Sequence, residues 1–258
     1  MPIHKVLNMK KIFSTAIFMM VWSIAAIAQT MNVASFNVRY ANDGDTGNLW
    51  KDRLSAVTGL IRFHNFDVFG TQEALFSQLE DMNKQLPEYQ RYGVGREDGK
   101  NGGEHSSIFF KKERFELLDK GDFWLSETPE KPSLGWDATC CNRICSWVHL
   151  KDRLTRKEFY FFNAHFDHQG IIARNESSKM ILRKMKAIAG NQPVVLTGDL
   201  NADHQSQCYK TLEESLLLQD TYLQVEFPYA PNASFNGFGK KITGKQIIDH
   251  IFTSKQFN

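Results

Sequence analysis

Residues 194–201 read Val-Val-Leu-Thr-Gly-Asp-Leu-Asn, an apolar run that stops at Gly198 and is followed by a carboxylate and an amide two residues apart. The run predicts a buried strand, and its polar end predicts a sheet edge of the kind where ligands bind. Because side chains alternate along an extended backbone, we expect Asp199 and Asn201 to point the same way. Such a pair can orient a water molecule or contact a phosphoryl oxygen. A plain turn after a strand is the alternative interpretation of this motif when it is taken alone.

Four further segments share this design of an apolar strand that carries or ends in polar groups. They are residues 32–40 with Asn37, residues 66–73 with Gln72 and Glu73, residues 159–168 with His165, Asp167 and His168, and residues 246–252 with Asp249. Most have a structural alternative, such as a cross-strand amide, a helix start or a core histidine. Asp249 is harder to explain by packing, because an ionised carboxylate among isoleucines needs a cation or a donor. Five segments of one design indicate a single polar centre.

Taken in chain order, the motifs resemble those of the endonuclease/exonuclease/phosphatase superfamily. They are Ser-Phe-Asn37, Gly-Thr-Gln-Glu73, Asn-Ala-His165-Phe-Asp167-His168, Thr-Gly-Asp199-Leu-Asn201 and Ile-Asp249-His-Ile-Phe. This superfamily includes pancreatic-type deoxyribonucleases, apurinic endonucleases, bacterial sphingomyelinases and inositol polyphosphate phosphatases. The resemblance covers nearly all of the chain after residue 30. Composition and pattern indicate an α/β protein, and the resemblance implies a two-sheet β-sandwich flanked by helices, in four α/β/β/α layers. Residues 123–147 resemble a secreted bacterial branch.

The resemblance implies a divalent metal, with Glu73 as its principal ligand and Asn37 in support. Hard oxygen ligands with few protein contacts suit Mg²⁺ or Mn²⁺, which substrate phosphate would complete. The sequence has no Cys or His cluster at the spacing of a zinc site. A bound metal would polarise the phosphoryl oxygen and offset charge on the leaving group.

The resemblance also implies four catalytic residues. Asp199 would position or deprotonate the attacking water, and Asn201 would hold the phosphate. His165 would donate a hydrogen bond to a non-bridging oxygen, and Asp249 would support the leaving-group side or orient a histidine.

Three further residues are predicted to bind substrate: Asp167, His168 and Arg143. Asp167 is also expected to help hold the His165 imidazole.

One family motif is missing from the sequence. Members carry Ser-Asp-His on a final strand, whereas this sequence shows no such motif after Asp249. We therefore expect residues 29–258 to form a domain that is incomplete at its C-terminus, without its final strand or strands. His250 is an alternative source of the imidazole, but neighbours on a strand face opposite ways, so it is expected to face away from the site.

The N-terminus has the pattern of a signal peptide. Met9-Lys-Lys precedes an apolar run that ends in Ala26-Ile27-Ala28, a small-x-small cleavage pattern. Residues 1–28 are therefore predicted to be removed on export to the periplasm or beyond, with Met9 as a candidate start. A membrane span is the alternative, but the apolar run is short for one.

Composition narrows the substrate class only slightly. The formal net charge is +2, and no basic run follows the predicted signal, which gives little support to sequence-independent binding of duplex DNA. A lipid head group, a sugar or inositol phosphate and a nucleic acid all stay open as substrates. We expect a monomer without an obligate protein partner. The four cysteines allow three pairings, and the sequence selects none of them.

Apolar periodicity predicts three helices, over residues 50–64, around 75–86 and over 175–189. The Gly-rich residues 93–103 are predicted to be a loop rather than a phosphate cradle, because no helix start follows. The sequence thus favours a metal-dependent phosphoesterase. The alternative from another class is a non-catalytic binding protein or decayed fragment that keeps the pocket; a glycosidase is disfavoured because Asp199 is paired with an amide rather than a second acid.

Overall fold

The computed structural model describes residues 30–229, 233–235, 237–239 and 246–257. Within these ranges, the helices are all too short or too polar to cross a membrane. The predicted signal peptide, residues 1–28, lies outside the described residues. Residues Asn32–Asn258 form one unit of the chain, to which the following elements belong.

Twelve strands and five helices alternate along the described part of the chain. In order they are β1 (Val33–Asn37), α1 (Trp50–Phe63), β2 (Val68–Gln72), β3 (Ala74–Leu75), α2 (Phe76–Gln85), β4 (Tyr89–Tyr92), β5 (Glu104–His105), β6 (Ile108–Lys111), β7 (Phe115–Trp124), β8 (Ile144–Asp152), β9 (Glu158–His165), α3 (Ile171–Ala189), β10 (Val194–Asp199), α4 (Gln207–Glu213), β11 (Gln219–Asp220), α5 (Thr221–Gln224) and β12 (Asp249–Thr253).

The strands form two main sheets. The smaller has the order β1-β2-β6-β4, and the larger has the order β11-β12-β10-β9-β8-β7. Two pairs of strands are parallel, β1 with β2 and β9 with β10. Each of these four strands ends at a predicted site residue or directly before one. β3 and β5 form a separate short ribbon. This is the two-sheet sandwich that the family resemblance implies.

Helices cover the outer face of each sheet. On the smaller sheet, Ile61 of α1 and Met82 of α2 pack with Phe69 and Phe109, whose rings stack with centroids 4.9 Å apart. On the larger sheet, α3 and α4 cover Phe162, Leu196 and Phe252. Burying one such side chain contributes roughly 1.5–3 kcal/mol, so these two clusters stabilise the four α/β/β/α layers.

The third helix is longer than the sequence predicts. It begins at Ile171, four residues before the expected start, because Asp137 accepts hydrogen bonds from the amides of Ile172 and Ala173 at 3.0 and 2.6 Å. A side chain from a distant loop thus satisfies the first turn, which no local capping pattern could reveal. The helix ends before Gly190, whose φ of 61° favours glycine, as predicted.

A polar contact joins the inner faces of the two sheets. Asn163 on β9 accepts hydrogen bonds from Gln72 and Thr197, and its amide donates to the carbonyls of Thr71 and Ser107. Gly70 leaves the space for it, since a Cβ there would lie 2.3 Å from the Asn163 side-chain oxygen. This satisfied buried amide fixes how β2 lies against β9 and β10.

Candidate functional site

Strand register brings three predicted residues into one row. His165, Asp199 and Asp249 are direct neighbours across β9, β10 and β12. Asn37 at the end of β1 approaches them from the smaller sheet. A cleft of about 710 Å³ opens at this point and is lined by Asn37, Glu73, Asp199, Asn201 and Asp249, together with Arg39, Asp45, Arg53, Phe235 and Phe238.

Glu73 follows β2 directly and has a left-handed backbone. Its φ is 64°, a conformation that costs a non-glycine residue energy and that persists where the surroundings hold it. The Asn37 side chain donates to Glu73 Oε1 at 2.9 Å, and the Tyr40 amide donates to Oε2 at 3.2 Å. The carboxylate is therefore held in one orientation at the mouth of the cleft.

Asn37 joins the two sheets through a single amide nitrogen. The same Nδ2 that donates to Glu73 also donates to Asp199 Oδ2 at 2.9 Å, while its oxygen accepts from the Arg39 amide. In this arrangement Asn37 orients two carboxylates. The predicted role as a direct metal ligand stays a prediction.

Two aspartates face the cleft in a shielded, acidic environment. Asp199 Oδ1 accepts from the Asn201 amide at 2.9 Å. Burial, followed by the charges of Asp249 and Glu73, raises the pKa of Asp199. Burial also raises the pKa of Asp249, whose Oδ1 makes no hydrogen bond within the described residues. Three carboxylates so close together favour a cation among them.

Asn201 lies beside Asp199, but not through strand alternation. β10 ends at Asp199, and Asn201 has a φ of 48°. This left-handed turn, which asparagine tolerates, aims its side-chain nitrogen at the Phe166 carbonyl at 3.0 Å and at His165 Nε2 at 3.1 Å. Both residues line the same cleft, but a left-handed turn rather than strand alternation brings them together, so the expected geometric reason is wrong. Their roles in the reaction stay predictions.

His165 lies behind the cleft-lining residues. Its Nε2 is 3.9 Å from Asp199 Oδ2, and its Nδ1 is 3.7 Å from Glu104 Oε2. Burial and the nearby cations, led by Arg143, lower the pKa of His165 well below its usual range, so the ring is neutral at pH 7. Because the Asn201 amide donates to Nε2, this nitrogen acts as an acceptor here. Direct donation to substrate by His165 stays a prediction.

Arg143, Asp167 and His168 form a separate group. Arg143 Nε donates to Asp167 Oδ2 at 3.2 Å, and its Nη2 lies 2.8 Å from His168 Nδ1. Asp167 Oδ1 accepts from the amides of Gln169 and Gly170, before α3. The expectation that Asp167 holds the His165 imidazole is therefore wrong, because its oxygens are used by Arg143 and the helix start. Substrate binding by these residues stays a prediction.

The sequence interpretation missed two groups of charged residues near the site. Arg39 and Arg53 line the cleft; Arg39 is paired with Asp45 at 3.0 Å, and its Nη1 is 3.7 Å from Glu73 Oε2. Glu104 is paired with the buried Arg96 at 2.6 Å. Arg39 could have been found from its position two residues after Asn37. Glu104 could not, because it follows the Gly-rich loop without a motif of its own.

Two remaining expectations concern His250 and the cysteines. His250 faces away from the cleft, as alternation predicts, and its Nε2 lies 3.0 Å from the Ala202 carbonyl oxygen. Cys140 and Cys141 form a disulfide between neighbours, while Cys145 and Cys208 are buried free thiols.

Comparison with known proteins decides the family. The model of the endonuclease/exonuclease/phosphatase family matches residues 31–258. The chain belongs to this family. Members of the family hydrolyse phosphoester bonds, so this chain is a phosphoesterase of the endonuclease/exonuclease/phosphatase type. This confirms the predicted superfamily and its two-sheet fold.

Several relatives are similar over most of their length. A mannosyl-6-phosphatase of Bacteroides thetaiotaomicron VPI-5482 is 46% identical, with a TM-score of 0.85 over 88% of this chain and 86% of that chain. A family protein of Bacteroides vulgatus is 39% identical, with a TM-score of 0.85 over 88% of both chains. An uncharacterized protein of Acanthamoeba polyphaga mimivirus is 26% identical over 223 residues, 81% of each.

Proposed function

We propose that this protein is an exported phosphomonoesterase that uses a divalent metal to remove phosphate from a sugar. A mannosyl 6-phosphate group is the first candidate substrate. The observation that carries the proposal is the convergence of Asn37, Glu73, Asp199 and Asp249 on one open cleft in a chain of this family.

The residues present fit a hard divalent cation. The donors available at the cleft are carboxylate oxygens, and one of them, Asp249 Oδ1, is buried without a hydrogen-bond partner within the described residues. Glu73, helped by Asp249, would hold Mg²⁺ or Mn²⁺. When bound, the metal would supply Lewis-acid polarisation of the phosphoryl oxygen and charge for the leaving group.

Asp199 is the residue best placed to accept a proton from the attacking water. Its two oxygens are fixed by Asn37 and by the Asn201 amide, so its orientation is set before substrate arrives. The pKa of Asp199 is raised and so lies closer to pH 7 than that of an exposed aspartate. Its carboxylate is therefore a stronger base. The proton would pass from water to Asp199 as the new P–O bond forms, and the sugar oxygen would take up a proton from solvent as its bond to phosphorus breaks.

Asn201 and His165 support this step from one side. The neutral His165 ring accepts a hydrogen bond from the Asn201 side-chain nitrogen, which fixes the side chain of a residue that lines the cleft. In this assignment His165 is a positioning residue, and Asn201 contacts the phosphate or the water.

The cleft also has features that suit a sugar phosphate. Arg39 and Arg53 add positive charge beside the carboxylates, and the guanidinium of Arg53 lies 5.5 Å from the Phe238 ring centroid. Phe235 and Phe238 offer partly exposed ring faces on which a sugar can stack. The similarity to a mannosyl-6-phosphatase, at 46% identity, favours this substrate over a lipid head group or a nucleic acid.

Export is proposed from the sequence of residues 1–28 alone, with its basic start, apolar run and Ala26-Ile27-Ala28 ending. Cleavage after Ala28 would leave Gln29 as the first residue. Mass spectrometry of the N-terminal peptide of protein made by its own cell would test this. An intact Met1 or Met9 terminus would contradict it.

Substrate class is tested by phosphate release with Mg²⁺ present. Mannose 6-phosphate and a mannosyl 6-phosphate glycan would be compared with a lipid head-group diester, an oligonucleotide and inositol phosphates at equal concentration. The proposal expects the highest kcat/KM for the mannosyl 6-phosphate group. Faster cleavage of a diester would contradict the monoesterase assignment while leaving the family assignment intact.

A further inference from the structure

A second cluster of metal-ligating side chains lies on the far side of β12 from the cleft. It consists of His204, Asp220 and His250, whose ligand atoms all lie within 4.8 Å of one another. His204 comes from the segment after β10, Asp220 from the end of β11, and His250 from β12. None of the three lines the cleft.

We propose that His204, Asp220 and His250 form a zinc site that braces the catalytic cleft from behind. The ligands would be His204 Nε2, His250 Nδ1 and Asp220 Oδ2, with water in the fourth position. This set combines two imidazoles with one carboxylate, which suits Zn²⁺ and differs from the oxygen-rich set at Glu73.

The distances fit a tetrahedral ion. His204 Nε2 and His250 Nδ1 each lie 3.5 Å from Asp220 Oδ2. Ligand atoms at the usual zinc bond lengths of about 2.0–2.1 Å are separated by roughly 3.3 Å in a tetrahedron. Each nitrogen therefore lies at about the required distance from the oxygen, and the two nitrogens lie within 4.8 Å of one another.

The histidine tautomer also points to an ion. His250 Nε2 lies 3.0 Å from the Ala202 carbonyl oxygen, and a carbonyl can only accept, so Nε2 carries the hydrogen. This leaves Nδ1 to face Asp220. A ligating histidine commonly donates its other ring N–H to a backbone carbonyl, and that arrangement is present here.

One imidazole nitrogen of the cluster lacks a hydrogen-bond partner among the residues that the structure describes, which also indicates that an ion binds there. The buried Nε2 of His204 makes no hydrogen bond within the described residues, although it lies beside the Asp220 carboxylate. Asp220 itself is 1% exposed, and the ion pairs it makes in the described part of the chain are with these two imidazoles. A carboxylate buried this deeply needs a compensating cation, which Zn²⁺ would supply.

The residues around the cluster fix the Asp220 carboxylate and leave His204 partly open to solvent. The Tyr209 hydroxyl donates to Asp220 Oδ2 at 2.8 Å, and the Tyr222 amide donates to Oδ1 at 2.9 Å, which fixes the carboxylate. Tyr209 packs against both imidazoles, with ring centroids 4.7 and 4.9 Å away. The His204 side chain is 26% exposed, which provides an entry path and room for water.

The position of the site suggests what the zinc does. His250 is the neighbour of Asp249, and the carbonyl that His250 contacts belongs to Ala202, the neighbour of Asn201. An ion on His250 would hold β12 against the turn that carries Asn201. We therefore expect the zinc to stabilise the cleft without taking part in the reaction.

The test is zinc content in a variant whose catalytic metal site is disabled. Full-length Glu73→Gln protein would be loaded with Zn²⁺ without reductant, dialysed, and measured by inductively coupled plasma mass spectrometry. We expect one equivalent of zinc per chain, no zinc after His204→Ala is added, and one equivalent after His64→Ala is added as a control. His64 is an exposed histidine on a distant helix end.

Co²⁺ substitution gives a second readout that does not depend on activity. The Glu73→Gln protein should show the intense visible absorption of four-coordinate Co²⁺, and His204→Gln should abolish it while circular dichroism stays unchanged. Absence of bound zinc in folded Glu73→Gln protein, or equal zinc in the His204→Ala form, would overturn the proposal. Neither result bears on whether the Glu73 cleft hydrolyses phosphoesters.

Discussion

Glu73 shows how much of the site depends on a single residue. Its left-handed backbone costs on the order of 1–3 kcal/mol, and hydrogen bonds from Asn37 and the Tyr40 amide hold the side chain in place. Strain that is kept at the mouth of a cleft favours a functional explanation. The proposed one is metal binding.

Replacing Glu73 by Gln tests that explanation. Glu73→Gln should weaken Mg²⁺ binding by about 10–100-fold or more, because the change removes a charged ligand while keeping the shape of the side chain. Isothermal titration calorimetry would measure the affinity, with Glu113→Gln at an exposed turn as the control. Equal Mg²⁺ affinity in the two variants would remove Glu73 from the metal site.

Asp199 carries the second prediction at this scale. Asp199→Asn should lower kcat by roughly 10²–10⁴-fold, because an amide cannot accept the proton of the attacking water. The melting temperature should stay the same or rise, since the substitution removes a charge that is unfavourable here: burial, and then the charges of Asp249 and Glu73, raise the pKa of Asp199. Steady-state kinetics and thermal melting check both parts. Turnover close to wild type would place the base elsewhere.

At the scale of the elements, strand ends and register create the site. β1, β9 and β10 stop at or next to Asn37, His165 and Asp199, and β12 begins at Asp249 opposite Asp199. The pairing of each strand with its neighbours determines where its terminal side chain lies in the cleft. The inner-face contact of Asn163 with Gln72 and Thr197 keeps the two sheets in the required alignment.

Gly70 on β2 gives a direct test of that alignment. A Cβ at Gly70 would lie 2.3 Å from the Asn163 oxygen and 2.4 Å from Thr197 Oγ1, so Gly70→Ala should lower the free energy of unfolding by about 1–3 kcal/mol. Urea denaturation would measure the loss.

The matched control is Gly59→Ala. Gly59 is exposed on α1, and a Cβ there meets nothing within 4 Å, so alanine should stabilise the helix by roughly 0.5–1 kcal/mol. A Gly70→Ala protein as stable as wild type would show that the sheets can shift without cost.

The elements also show what the sequence can predict. Asn37, Glu73, Asp199 and Asp249 were predicted because each lies in or just after an apolar strand with a family motif. The start of α3 was missed because its first turn is satisfied by Asp137, far away in the sequence. Asn201 was placed for the wrong reason, since a left-handed residue cannot be seen in an alternating pattern.

The remaining features that the sequence did not reveal depend on contacts between residues far apart in the chain. His204, Asp220 and His250 are separated by many residues and come together only when β11 and β12 pair. The sequence shows no cluster at the spacing of a zinc site, whereas the fold brings these three side chains within 4.8 Å of one another. The role given to Asp167 failed in the same way, because the spacing could not show that Arg143 would reach its carboxylate.

At the scale of the whole molecule, an ion-pair group links the two sheets at the end away from the cleft. Asp67, just before β2, accepts from Lys111 at 2.8 Å and from Arg114 at 2.7 Å, and Arg114 also pairs with Asp152 of the larger sheet at 3.1 Å. Burial alone would raise the pKa of Asp67, but Lys111, the Asn32 amide and Arg114 lower it overall.

This lowered pKa predicts a pH dependence of stability. The charged form of Asp67 is favoured in the folded state, so its contribution is present above the unfolded pKa of about 3.9 and is lost as the pH falls through the lower folded pKa. Asp67→Asn should cost about 3 kcal/mol near pH 7, and the difference from wild type should shrink below pH ~4. Urea denaturation across this range would check it; a difference that is constant with pH would contradict the account.

The central claim is that the Glu73 cleft is a metal-dependent phosphoester-hydrolysing centre. The most direct measurement is phosphate release from mannose 6-phosphate by wild-type and Glu73→Gln protein, after chelation and again after Mg²⁺ is restored. We predict that chelation abolishes wild-type turnover, that Mg²⁺ alone restores it, and that Glu73→Gln stays far slower at the same Mg²⁺ concentration. Turnover that survives chelation, or equal turnover in the two proteins, would contradict the claim.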